Sequence, residues 1–164
     1  MLNEQINREM YSANLYLSIC SYFTDMELDG FANFFKVQSD EELFHAKKMF
    51  DYVHNAGGKV TVMSVAQPIT AFDSVVQAFE VTQAHEQNVT QTIHAIVKQA
   101  IAENDFTTHT FLQWFITEQL EEEALVNNLL KKLKMIGDNS SALYLLNTEL
   151  AQRTFSPPSA AKQG

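Results

Sequence analysis

The sequence predicts an all-α protein, a four-helix bundle with one long crossover and a short fifth helix. Three observations predict it. Apolar residues recur at steps of three and four along four long stretches. The five glycines and three prolines fall almost wholly between those stretches. One extended segment, Lys59 to Thr70, separates the second stretch from the third.

Helix one is predicted from Met1 to about Glu27, with Leu2, Ile6, Glu9, Ala13, Tyr16, Cys20 and Phe23 on one face. After Asp29-Gly30, the residues Phe31, Phe35, Gln38, Glu42, His45, Met49, Tyr52 and Ala56 repeat that rhythm until Gly57-Gly58 stops helix two. In the next segment Val60, Val62 and Val65 alternate loosely and Pro68 forbids helix, so the chain is extended there. At about 3.3 Å per residue it spans on the order of 40 Å, the length of a helix of roughly 27 residues. It can therefore run from one end of a bundle to the other. Thr70 and Asp73 resemble a capping box, and a third helix follows through Val75, Phe79, Thr82, Glu86, Val89, Ile93, Ile96 and Ala100 to Asn104-Asp105. The fourth starts near Thr107 and carries Leu112, Phe115, Gln119, Glu122, Val126, Leu129, Leu133 and Ile136 up to Gly137. The fifth runs from Ser140 or Ser141 through Leu143, Leu146 and Leu150 to about Arg153. Residues 1–153 are expected as one domain and 154–164, rich in Pro, Ser and Ala, as a loose tail. Two helical hairpins joined by an end-to-end crossover pack as a bundle with crossing angles of about +20°.

Composition excludes several classes of function. With 20 acidic against 11 basic residues the net charge is −9, which repels nucleic acid and anionic membrane surfaces and attracts cations. The longest apolar run, Ala142 to Leu146, is far short of a membrane span, and the N-terminus lacks a basic-then-apolar export signal, so a cytoplasmic location is expected. Cys20 is the sole cysteine, which leaves neither a disulfide framework nor a cysteine zinc site. Any metal would take oxygen and nitrogen ligands.

The apolar stripes contain residues a core should exclude: Glu9 and Tyr16, then Glu42 and His45, then Glu86, then Gln119 and Glu122. Taken singly, a helix glutamate is usually solvated, His45 reads as a core histidine and Tyr16 as packing. Taken together, four glutamates converging on a core without Lys or Arg in any stripe require cations between them. The spacing sharpens the point. Glu42 follows Glu9 by 33 residues and Gln119 follows Glu86 by 33, while a shift of 77 carries Glu9 to Glu86, Glu41 to Glu118, Glu42 to Gln119 and His45 to Glu122. Each half of this pseudo-repeat supplies one single ligand and one i, i+3 pair on one helix face, the pattern of a dimetal carboxylate site. His54, His85, His94 and His109 have no counterparts in the register and read as surface or packing residues. In the acidic cluster, Glu122 is expected inward and Glu123 outward. Glu118 and Glu121 stand on the flank, where with Glu41 they are candidates for a third cation.

The segments LNEQINREMYSANLYLS, EELFHAKK, HEQNVTQ and FLQWFITEQLEEEALV resemble the bacterial non-haem ferritins, and the resemblance covers essentially the whole chain. It implies the ferritin-like fold, with Glu9, Glu42 and His45 as ligands of one iron, Glu42, Glu86 and Glu122 as ligands of a second, and Gln119 beside the pair. Glu41, Glu118 and Glu121 match the family's third-iron site, and Tyr16 matches the tyrosine next to the centre. Bacterioferritins carry a haem-ligating methionine after the bridging glutamate; Leu43 stands there instead, so no haem is expected. The implied function is ferroxidase chemistry, Fe(II) oxidised by dioxygen or hydrogen peroxide, with ferric mineral stored in a cage of 24 subunits. In such a cage helix five, with its stripe Leu143, Leu146 and Leu150, is expected to bury itself against neighbouring subunits. Two alternatives are a rubrerythrin-like di-iron peroxidase without storage, which usually carries a CxxC module absent here, and a non-catalytic helical protein whose buried polar residues only fix register.

Overall fold

The chain turns back on itself twice by the same local device. Glu27 adopts a left-handed backbone (φ 58°), its N–H bonding the Thr24 carbonyl while the Leu28 N–H reaches the Phe23 carbonyl. A shift of 77 residues reproduces each part: Asn104 has φ 58°, its N–H bonds the Ile101 carbonyl, and the Asp105 N–H reaches the Ala100 carbonyl. This paired closure of the last helical carbonyls ends a helix and aims the chain into the next one. A computed structural model describes residues 1–157, and among them the elements are α1 (Leu2–Asp25), α2 (Asp29–Asn55), α3 (Val75–Ala102), α4 (Phe106–Ile136) and α5 (Ser140–Leu150), with no strand. None of these helices is long and apolar enough to cross a membrane.

The helices fall into two units, one of residues 6–70 with the chain from Tyr144, the other of residues 1–5 with Ala71–Leu143. In the first, Phe23 stacks on Phe31 and Phe35, Tyr16 lies beside Phe35, and Glu9 meets Glu42 and His45. Contacts that move up α1 move down α2, so the pair is antiparallel. After α2 the connector has neither helix nor strand. The Ser18 hydroxyl donates to the Ile69 carbonyl at 2.6 Å, so the connector has run back along the hairpin to the middle of α1.

Gly30, which in sequence reads as punctuation, lies inside the first turn of α2 and is buried. A Cβ there would fall 1.7 Å from the Asn147 carbonyl oxygen, so only glycine admits α5 this closely. Asn147 Oδ1 accepts from the Gly30 and Phe31 amides, which are orphans of the helix start, and Asn33 Nδ2 donates to the carbonyl of Leu150, the last residue of α5, and to that of Arg153 just after it. Each helix thus caps the other. Leu146 and Leu150 are consequently buried within the chain, and the exposed apolar residues of α5 are Tyr144 and Leu145. That corrects the expectation of a Leu143, Leu146, Leu150 stripe reserved for neighbours.

In the second unit Glu80 pairs with Lys134, Gln83 with Asn127, and Glu86 with Gln119, again antiparallel. Helix α3 begins at Val75 and not at Thr70. Its cap is Ser74, whose hydroxyl accepts from the Gln77 amide while the Gln77 side chain takes the Asp73 N–H. Asp105 caps α4 through the Thr108 amide and hydroxyl, bonds that hold its carboxyl below the usual range. In α1 the core position falls to Ile19, with Cys20 half-exposed. From Ala151 to Pro157 the chain has neither helix nor strand, and Phe155 lies 5.8 Å from the Phe44 ring, centroid to centroid. The remainder of the expected tail lies outside the described residues.

Candidate metal centre

On α1, Glu9 and Tyr16 are seven residues apart and share the inward face; on α2, Glu42 and His45 are one turn apart and do the same. Antiparallel packing then sets Glu9 opposite the α2 pair. One ligand-type atom from each of Glu9, Glu42 and His45 lies within 4.8 Å of the others. The three residues are 1%, 1% and 3% exposed, and His45 Nδ1 stands 3.5 Å from Glu42 Oε2. No Lys or Arg is among the buried residues described. Two carboxylates and an imidazole in a dry interior are the donors that a divalent or trivalent first-row cation takes, and withdrawing such carboxylates from water costs several kcal/mol each unless a cation balances them. Tyr16 is fully buried two turns further along α1, beside Phe35, and is not one of the three converging groups.

On α3 and α4 the corresponding residues are also buried, Glu86 at 0%, Gln119 at 3% and Glu122 at 7% exposure. Here the contact is a hydrogen bond. Gln119 Nε2 donates to Glu86 Oε2 at 3.1 Å, and lies 3.3 Å from both the Glu86 carbonyl and Thr90 Oγ1. The Thr90 hydroxyl in turn donates to Glu123 Oε1 at 2.5 Å. Glu123 is therefore half-buried and bonded across the hairpin, not turned outward as expected from sequence. Beside Glu86, burial pushes the His85 imidazole down from 6.5 to about 4, so it stays neutral near neutral pH.

The third-site candidates are placed differently. Glu41 makes a 2.6 Å ion pair with Arg153, whose guanidinium also covers the Phe34 ring at 4.6 Å. Glu118 is half-buried and Glu121 exposed, one turn apart on α4. Sequence reasoning missed Arg153, Thr90 and Glu123. For the last two a signal existed, since each stands four residues after a proposed site residue, Glu86 or Gln119, on the same helix face. For Arg153 no local signal existed, because its partner is 112 residues away.

The ferritin-like domain family matches residues 1–136. The bacterial non-heme ferritin of Campylobacter jejuni is 43% identical over 145 residues, covering 88% of this chain and 87% of its own length. That of Staphylococcus saprophyticus is 40% identical over 154 residues, covering 94% and 92%. The chain belongs to the ferritin family. Among solved structures, the open pore ferritin of the hyperthermophilic archaeon Archaeoglobus fulgidus is 49% identical with a TM-score of 0.93, covering 93% of this chain and 94% of that one. A humanized archaeal ferritin is 47% identical with a TM-score of 0.94, covering 95% and 94%. The expected fold class, the ferritin-like four-helix fold with a short C-terminal helix, is thereby shown. Iron storage with ferroxidase activity is the function that membership in the ferritin family carries, with the Glu9, Glu42 and His45 group as the buried metal-type site on this chain.

Proposed function

We propose that the Glu9, Glu42 and His45 group is where Fe(II) is bound and oxidised. Glu86 and Glu122 hold a second ion and Gln119 stands beside it, as the 77-residue register suggests. Two Fe(II) ions give up one electron each, converting dioxygen and two protons to hydrogen peroxide, or hydrogen peroxide and two protons to water. Carboxylate oxygens favour the product, because the extra positive charge of Fe(III) interacts more strongly with anionic ligands than that of Fe(II) does. Burial adds to this by removing the water that would screen the ligands. The ferric product then collects as mineral inside a cage of 24 copies. One hairpin encloses no such space, so the reading requires assembly. Exposed Tyr144 and Leu145 on α5 supply apolar surface for contact between copies.

The observation that carries the reading is the convergence of two buried carboxylates and an imidazole within 4.8 Å. Mixing the apoprotein with Fe(II) in air and following near-ultraviolet absorbance tests it. In Glu42→Ala/His45→Ala the fast phase should collapse by two orders of magnitude or more; a fast phase equal to that of the wild type removes this group from the reaction. Elution of the wild type as a monomer or dimer on size exclusion would defeat the cage and leave the oxidation site standing.

A further inference from the structure

Resting on the reading of Gln119 as part of a second cation site, we propose that Thr90 and Glu123 are positioning residues which fix the side-chain amide of Gln119, so that its nitrogen holds Glu86 and its carbonyl oxygen is offered to a divalent cation.

The case starts from what surrounds Gln119 Nε2. Its three partners within 3.3 Å are the Glu86 main-chain carbonyl, Glu86 Oε2 and Thr90 Oγ1. The first two only accept. The third is a hydroxyl whose single proton is already committed to Glu123 Oε1, so toward Gln119 it offers only lone pairs. A flipped amide would set its oxygen against three acceptors at once. The side chain is 3% exposed, so water does not relieve that clash. Glu123 therefore sets the direction of the Thr90 proton, Thr90 adds a third acceptor that orients the Gln119 amide together with the two Glu86 oxygens, and Gln119 steadies one oxygen of Glu86. Without the Glu123 acceptor, the Thr90 hydroxyl is free to donate, and the amide loses one of the three acceptors that oppose its inverted form.

The helices give this chain a simple origin. Thr90 follows Glu86 by four residues on α3 and Glu123 follows Gln119 by four on α4, so each pair shares a face. The 33-residue spacing of Glu86 and Gln119 recurs one turn on in Thr90 and Glu123. Partners that orient a ligand from behind commonly change metal affinity by about 10- to 100-fold when removed.

The test is calorimetric titration of the assembled apoprotein with Zn(II), which occupies oxygen and nitrogen ligands without redox change. The wild type should take two ions per subunit at these sites. Thr90→Val keeps the shape and removes the hydroxyl. It should leave the first ion within about twofold and weaken the second by about tenfold or more, while Thr90→Ser restores it. Glu123→Ala should weaken the second ion in the same way. Glu86→Gln is the reference for losing that ion outright, and far-ultraviolet dichroism checks that each variant is folded. If the wild type binds two ions and Thr90→Val binds both as tightly, the positioning role is wrong and the two-ion reading survives. If the wild type binds no second ion, or Glu86→Gln retains it, the two-ion reading fails and takes the positioning role with it.

Discussion

The two hairpins share one register and hold their buried glutamates in opposite ways. In α1/α2, Glu9, Glu42 and His45 converge within 4.8 Å, and two carboxylates so placed repel one another until a cation intervenes. In α3/α4, the Glu86 carboxylate receives an N–H from Gln119, itself braced by Thr90 and Glu123. One half brings two carboxylates together with an imidazole; the other bonds its carboxylate to an amide. A shift of 77 residues converts carboxylate Glu42 into amide Gln119 and imidazole His45 into carboxylate Glu122, and these two changes of group distinguish the halves.

The contrast breaks most visibly at Glu42. Glu42→Gln removes one of the converging charges, so the metal-free protein should melt higher than the wild type, by a few kcal/mol in stability. It should also lose most of its response to metal, which in the wild type is about 2.7 kcal/mol at a hundredfold excess over Kd. Thermal melts with and without anaerobic Fe(II) decide this, and a metal-free variant that melts below the wild type refutes the repulsion.

The histidines of the two halves differ as well. His45 joins the carboxylates, whereas His85 is kept neutral by burial, its folded pKa near 4 against 6.5 unfolded. Below pH 6.5 the unfolded chain binds a proton that the folded chain refuses until about pH 4. Stability from this residue is complete above pH 6.5, falls as pH drops through that window, and levels off below it, for a total of up to about 3 kcal/mol. Denaturant melts of metal-free protein should show a shallower decline between pH 6.5 and 4 in His85→Gln than in the wild type; parallel curves would contradict the assignment.

Gln119→Glu gives the second half the condition of the first. The Nε2 donor to Glu86 is lost and a like charge arrives, so metal-free stability should fall by about 1–3 kcal/mol and the gain on adding Zn(II) should grow. Unchanged metal response would mean that the amide is not what separates the hairpins. The smallest effect is expected at Arg153, whose partly exposed pair with Glu41 is worth about 1 kcal/mol or less. Arg153→Gln should speed proteolytic nicking after Leu150 and strengthen cation binding at Glu41. A digestion pattern identical to that of the wild type would show that the pair does not hold the tail.

Periodicity made most of this molecule legible. Every stripe position from Phe31 to Met49 and from Phe79 to Ala100 is buried, because a helix that packs on one face must repeat its apolar residues every three or four positions. The intruding Glu9, Glu42, His45, Glu86, Gln119 and Glu122 are all buried for the same reason. What escaped was set by competition or by distance. Thr70/Asp73 and Ser74/Gln77 both carry capping signatures, and it is Ser74 whose hydroxyl takes the Gln77 amide. Gly30 looks like a stop until Asn147 is brought against it. Arg153 meets Glu41, and Asn33 meets Leu150, across more than a hundred residues, where no local pattern reaches. Glu123 looked solvated because its partner, Thr90, lies on another helix.

Anomalous scattering at the iron edge, from crystals of the wild type soaked anaerobically with Fe(II), is the most direct measurement of the central claim. The predicted result is an iron peak within coordination distance of Glu9, Glu42 and His45 in every subunit. Iron found only on exposed carboxylates, with those three residues bare, would contradict it.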